Sequence, residues 1–197
     1  MGNLREILLF LNKAEKLKTI KRQVAVSDNS RKESPAEHSW RMALMAMILH
    51  RELELDLDLL KAMKIIIVHD IIEAIADDVW ILDKNDEKAK QNKQEKEYKA
   101  ADEIFGMLPN GLGDEFKTFW YEFEDSASKE ARFAKAIDKI EVIIQRNDLY
   151  VDNWERNDIF DVLLHRADDS VENFPDLKKL WNLVQEELVN QNNKKIN

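Results

Sequence analysis

Cysteine is absent from this chain. That excludes disulfides, thiolate zinc sites and cysteine nucleophiles, and it fits a reducing compartment, so a cytoplasmic protein is expected. Glycine and proline are scarce, 4 and 3 among 197 residues, which leaves few tight turns and favours long helices. No apolar run is long enough to cross a bilayer, and the N-terminus has no basic segment followed by an unbroken apolar one. A basic surface is lacking too. The formal net charge of -9 argues against a nucleic-acid polymer as partner, although one Arg or Lys in a pocket suffices for a small anion. Neither a membrane nor a nucleic acid is expected as a partner.

What the chain does have is helix-forming pattern. Hydrophobic residues make up 44% and charged residues 35%, and the length suits one domain with a sizeable core. Residues 3–20 place Leu4, Ile7, Leu8, Leu11, Ala14 and Leu17 at helical spacing, and 23–33 reads as a loop. Ser34-Pro35-Ala36-Glu37 is a capping box that starts the next helix. A helix over about 58–76 follows, then a mixed-charge run at 84–99 that reads as a solvated helix face or a flap. Helices are expected again near 100–108, 116–123, 128–147, 155–167 and 175–190, with a turn at Pro109-Asn110-Gly111. There is no repeat, no strand alternation and no linker. The fold class is therefore all-α, a single domain over 1–191, with 192–197 as a disordered polar tail.

Within this pattern one stretch stands apart, Ile65-Ile66-Ile67-Val68-His69-Asp70-Ile71-Ile72-Glu73. Three ionisable groups among isoleucines must be paired or hold a metal. On a continuous helix His69 and Glu73 share a face, with Asp70 one step round. The plain alternative is a buried His–Asp pair. His38 lies in the first turn of the capped helix, above Met42, Met45 and Leu49, so it faces inward, and the positive helix end is expected to keep it neutral. On the helix near 128–147, Asp138 sits at the edge of the buried stripe, next to Ala134, Glu141 and Gln145. Its plain alternative is a salt bridge to Lys135 or Lys139. Together His38, His69, Asp70 and Asp138 form a sensible set for one divalent cation with positions left for water and substrate. No Gly-x-Ser-x-Gly, His-Glu-x-x-His, phosphate loop or dinucleotide turn is present.

An early His, a His-Asp pair in an apolar helix and an Asp on a later helix resemble the HD-domain superfamily of metal-dependent phosphohydrolases. The resemblance is to the branch with the bacterial 5′-deoxynucleotidases and HD-domain-containing protein 2. Arg31-Lys32-Glu33-Ser34-Pro35-Ala36-Glu37-His38 reproduces that branch's first motif, His69-Asp70-Ile71-Ile72-Glu73 its second, and Ala134-Lys135-Ala136-Ile137-Asp138-Lys139 its last. The similarity covers about residues 5–150, which would be the domain core. It implies an HD-type helical bundle with one divalent metal (Mn, Co, Mg, Zn, Ni or Fe) on His38, His69, Asp70 and Asp138. It also implies hydrolysis of nucleoside 5′-monophosphates, often deoxy ones, and a homodimer. Glu73 would be the catalytic acid/base, Asp78 would meet the sugar hydroxyl, and Arg22 would cap the phosphate. Two departures stand out. Asp77-Asp78 replaces a frequent Gly-Asp, and Gln23 replaces a Trp after the Arg, so discrimination against ribonucleotides should be modest.

These parts suggest a mechanism: a metal-activated water, Glu73 to move its proton and a cation to offset phosphoryl charge. Within the superfamily, a phosphodiesterase or pyrophosphohydrolase is the alternative. Two-metal versions need further histidines, and only His50 and His165 remain. A non-catalytic nucleotide or metal sensor is the alternative outside enzymes.

Overall fold

The computed structural model describes residues 2–77, 87–148 and 158–194. Helix α1 spans Gly2–Ala14 and runs into a 3-10 turn at Glu15–Lys18. After a loop come α2 (Pro35–Glu52), α3 (Leu59–Val68) and the single turn α4 (Glu73–Ala76). Then follow α5 (Glu87–Phe105), α6 (Leu112–Asp125), α7 (Lys129–Asp148), α8 (Asp158–Asn173) and α9 (Lys178–Lys194). Among the described residues there is no strand, only one antiparallel bridge between Ala25 and Lys32. None of the described helices is long and apolar enough to cross a membrane. The all-α, single-domain expectation holds.

Two apolar clusters form the interior. The larger joins α2, α3, α7, α8 and α9 through Met42, Ile66, Phe133, Ile137, Leu177 and Trp181. The smaller joins α1, the residues around α4, α5 and α6 through Phe10, Ile71, Ile104, Phe105 and Trp120. α3 lies between them: Ile65 and Ile66 face the first cluster, Val68 the second. The candidate residues sit where the two meet.

Several elements differ from the periodicity-based expectation. The first helix buries Phe10 and, in its 3-10 extension, Leu17, while Leu4, Leu8 and Leu11 face solvent. Phe10 decides the rotation by packing edge-on against Phe116, 6.0 Å between ring centroids. The mixed-charge run and the apolar segment after it are one helix, α5 as far as it is described. α9 continues through Lys194, into the stretch expected as a disordered tail.

The most consequential difference is that the helix expected over 58–76 breaks. α3 ends at Val68, where the Ile66 carbonyl receives the His69 ring Nδ1–H at 2.7 Å. Past this point the backbone bonds tighten to i→i+3: Ile71 N to Val68 O at 3.1 Å and Glu73 N to Asp70 O at 3.0 Å. In such a tightened turn side chains three apart eclipse, so Glu73 moves from the His69 face to the Asp70 face.

α4 closes at Asp77, whose φ of 59° and ψ of 161° lie in a region that only glycine occupies without strain. Its carboxylate contacts Lys16 at 3.1 Å in an exposed pair, which offsets little. The Asp77→Gly variant should be more stable by about 1 kcal/mol, read as a higher urea midpoint at unchanged m. A lower midpoint would refute the strain.

Candidate metal centre and cleft

The α2 start is fixed locally. Ser34 Oγ accepts from Glu37 N at 3.3 Å, and Glu37 Oε2 accepts from Ser34 N at 2.9 Å. Arg31 holds Glu37 from outside at 2.9 Å and keeps its carboxyl down at about 2. This box sets His38 at the fourth position of the helix, fully buried. From α7, Asp138 and Glu141 project toward it, one helical turn apart.

His38 is held at both nitrogens. Nδ1 donates to Glu141 Oε2 at 2.7 Å, and Nε2 lies 3.1 Å from Asp138 Oδ1. His69 is anchored by its Nδ1 on the Ile66 carbonyl, and its Nε2 stands 3.1 Å from Asp70 Oδ1. Both imidazoles thus have Nδ1 committed and Nε2 turned toward a carboxylate, the arrangement that presents a ligating lone pair. His38, His69 and Asp138 offer donor atoms within 4.8 Å of one another. Asp70 stands outside that trio, beside His69 and drawn toward Arg22 Nη1 by its Oδ2 at 3.3 Å. Neighbouring ligands around a cation at about 2.1 Å lie about 3 Å apart, which the two 3.1 Å nitrogen–oxygen edges match. Chemically and geometrically the set fits a divalent metal.

Arg22 reaches the site from a short hairpin built by Arg22 N to Glu33 O and Glu33 N to Val24 O, both 2.9 Å. Its guanidinium lies between Asp70 and the buried Glu33, whose Oε2 is 3.2 Å from Nε. Burial works against the cation, but Asp70, Asp138, Glu33 and Glu73 together raise its pKa, so it stays charged. Burial likewise opposes ionisation of Asp70 and Asp138. His69 with Arg22 overcomes it for Asp70, and Lys139 with His38 for Asp138, so both carboxyls lie well below the usual range. Lys139 Nζ binds Asp138 Oδ2 at 2.6 Å. The expected salt bridge exists, and it leaves Oδ1 on the His38 side.

A cleft of about 240 Å³ opens over these groups. Arg22, His69, Asp70, Glu73 and Asp138 all line it, with Gln23 at the same wall. Asp78 lies outside the described residues. Lys93 from α5, Lys135 and Lys139 from α7, and Arg166 from α8 add cations to the walls. Of the remaining histidines, His50 contacts the Leu57 carbonyl at 3.3 Å, and the exposed His165 contacts Asp169 at 3.0 Å on α8. Neither lines the cleft.

The sequence reading missed the role of Glu141, which stood in the stripe beside Asp138 without a partner assigned. It also missed Glu33 as the buried counter-ion of Arg22, although Glu33 lies in the first motif. The expectation that the helix end keeps His38 neutral is corrected. Burial and Arg22 do push its pKa down, but the hydrogen bonds it donates to Asp138 and Glu141 prevail and lift it to about 9.

That value has a consequence for metal loading. Below pH 9 the proton on His38 Nε2 and a cation compete for one position. Loading chelator-stripped protein with Mn²⁺ at about pH 7.5 should therefore release about one proton per chain. Calorimetry in buffers of different ionisation enthalpy measures this, and the release should fade as pH rises through about 9. Binding without proton release at neutral pH would remove His38 from the ligand set.

The family described as HD domain matches residues 14–178. The 5′-deoxynucleotidase HDDC2 of Homo sapiens is 34% identical over 145 residues, 73% of this chain and 68% of that protein. Its Dictyostelium discoideum namesake is 34% identical over 145 residues, 70% and 74% of the two chains. Among solved structures, a Magnetospirillum magnetotacticum protein described as a predicted metal-dependent phosphohydrolase superposes with a TM-score of 0.78 at 31% identity. That alignment covers 96% of this chain and 94% of the other. A helical bundle with this buried His and Asp set, matched over most of its length, is a member of the HD domain family.

Proposed function

We propose that this protein is a metal-dependent 5′-nucleotidase that releases phosphate from nucleoside and deoxynucleoside 5′-monophosphates. The observation that carries the reading is the pair of imidazoles with Nδ1 committed and Nε2 facing Asp138 and Asp70, of which His69 lines a cleft together with Asp138, Asp70, Arg22 and Glu73 while His38 is buried behind Asp138. The relatives named 5′-deoxynucleotidase support the substrate class. His38, His69, Asp70 and Asp138 would hold one divalent ion, with Mn, Co, Mg, Zn, Ni and Fe all compatible with nitrogen and oxygen donors. A cation there supplies Lewis-acid activation of the attacking water and of the phosphoryl group.

The chain's own residues do the rest. Glu73, on the Asp70 side of the tightened turn, accepts the proton of the attacking water and returns it to the departing 5′-oxygen. Arg22, held by Glu33 and Asp70, offsets the negative charge that builds on the phosphoryl oxygens. Lys139 keeps the second oxygen of Asp138 occupied, so that carboxylate acts through one oxygen. Asp78 would receive a sugar hydroxyl.

A homodimer in the cytoplasm completes the proposal. Its support is a second apolar face on α2, where Trp40, Leu44, Met47 and Ile48 are exposed at spacings that form one outward stripe. The absence of cysteine agrees with the compartment.

The first test is phosphate release from ribo- and deoxyribonucleoside 5′-monophosphates with Mn²⁺, Co²⁺ and Mg²⁺ each supplied. Turnover of monophosphates with little hydrolysis of cyclic nucleotides is expected, and the reverse pattern would replace the reading with a phosphodiesterase. Gln23 Oε1 accepts from Lys32 Nζ at 2.7 Å, so its amide N–H is what it can offer a ribose hydroxyl. The kcat/KM ratio of dAMP to AMP should therefore stay below about a hundredfold, ~2.7 kcal/mol. A larger ratio would mean that another group crowds the 2′-hydroxyl.

A second measurement isolates Glu73. The Glu73→Gln variant should keep its metal and lose about a hundred- to ten-thousandfold in kcat. Loss of the metal with turnover retained at high metal would make Glu73 a ligand instead of an acid/base group.

A further inference from the structure

The buried polar groups do not end at the cleft wall. Behind His38, on the side away from Asp138, Glu141 is fully buried and accepts the Nδ1 proton at 2.7 Å. Its other oxygen lies 3.3 Å from Arg41 Nη1, and the same Nη1 donates to Gln145 Oε1 at 2.6 Å. Gln145 in turn donates from Nε2 to the Ala25 carbonyl at 2.9 Å, in the hairpin that carries Arg22. A continuous chain thus runs from His38 through α7 and α2 to the backbone of Ala25, in the hairpin that carries Arg22.

Two chemistries could use this cluster. Glu33, His38 and Glu141 place donor atoms within 4.8 Å of one another, which in isolation would suit a second cation. That would require His38 to lose its Nδ1 proton as well. It would also set the ion beside two guanidiniums, Arg41 on Glu141 and Arg22 on Glu33, a repulsive position in a low-dielectric interior. The short Nδ1 contact instead describes an N–H held by a carboxylate, whose other oxygen meets the Arg41 guanidinium.

We propose that Glu141 is a positioning residue for the metal centre, fixing the tautomer of His38 and strengthening its Nε2 as a donor. His69 offers the internal contrast, because its Nδ1 leans on a neutral backbone carbonyl. A carboxylate partner withdraws the Nδ1 proton more strongly than a carbonyl does and makes the opposite nitrogen more basic. His38 is thereby the stronger of the two imidazole ligands, and its strength resides in a residue that never touches the ion. The inference rests on His38 being a ligand, as the functional reading has it.

Mn²⁺ titration of the full chain against a competing chelator tests this. Glu141→Gln, close in shape but uncharged, should weaken Mn²⁺ binding by about 10- to 100-fold while the stoichiometry stays at one ion per chain. At saturating Mn²⁺ most of the turnover should return, which a merely structural defect would not allow. Glu141→Asp keeps the charge but withdraws it by one methylene, and should fall between wild type and Glu141→Gln; it serves alone if the Gln variant fails to fold. Unchanged Mn²⁺ affinity in the soluble variants would overturn the proposal and leave the nucleotidase reading standing. Two ions in the wild type falling to one in Glu141→Gln would also overturn it, making Glu141 a ligand. A wild type that binds no Mn²⁺ would remove the functional reading itself.

Discussion

A histidine with no solvent exposure, clasped between two carboxylates of one helix, is the contact on which this structure turns. His38 belongs to α2; Asp138 and Glu141 belong to α7. Their union fixes the register of the two helices about which the larger apolar cluster assembles. Burying such charges is unfavourable in itself, and removing one partner of a buried pair commonly costs about 3–5 kcal/mol because the other is left uncompensated. Every carboxylate of the centre accordingly has a cation at hand: Lys139 for Asp138, Arg41 for Glu141, and Arg22 for Glu33 and Asp70. The arrangement is better suited to holding an ion in one geometry than to adding stability, since apolar residues would pack the same space without the desolvation penalty.

The second constraint is the early end of α3. A continuous helix would have set His69 and Glu73 on one stripe and turned Asp70 aside. The His69 ring, by taking the Ile66 carbonyl, helps convert the next residues into a tighter turn. Asp70 then meets Arg22, and Glu73 follows it to the cleft. The strained Asp77 backbone lies at the exit of this same segment, so the departure from regular helix is concentrated next to the candidate site, as strain in proteins often is.

Much of this was legible in the residues, and the exceptions have physical reasons. The capping box at Ser34 and Glu37 placed His38 correctly because it is a local device, complete within four residues. The inward tendency of Asp138 followed from the stripe it shares with Ala134 and Glu141. The break after Val68 was not legible, since Ile, Val and Ala continue helical periodicity through it and only a side-chain-to-carbonyl bond ends it. The rotation of α1 was misjudged because three exposed leucines make a cleaner stripe than the single Phe10 that packs on Phe116. The ionisation of His38 depends on contacts spanning a hundred residues of chain, which no local helix-end argument contains.

The cations on the cleft walls sit in a chain of net charge -9, and that contrast shapes how a phosphate dianion arrives. At about 0.01 M salt the screening length is about 30 Å, so an approaching anion senses the whole protein and is repelled. Near physiological ionic strength it shrinks to about 8 Å, and the anion at the mouth senses chiefly the lining itself, where Arg22, Lys93, Lys135, Lys139 and Arg166 stand against Asp70, Glu73, Glu97, Glu124 and Asp138. Capture of the substrate is thus hindered by the far field, while the protein's own charges in the near field are close to balanced. Added salt should therefore speed encounter over the lower range of ionic strength by screening the far field, the opposite of ordinary electrostatic steering.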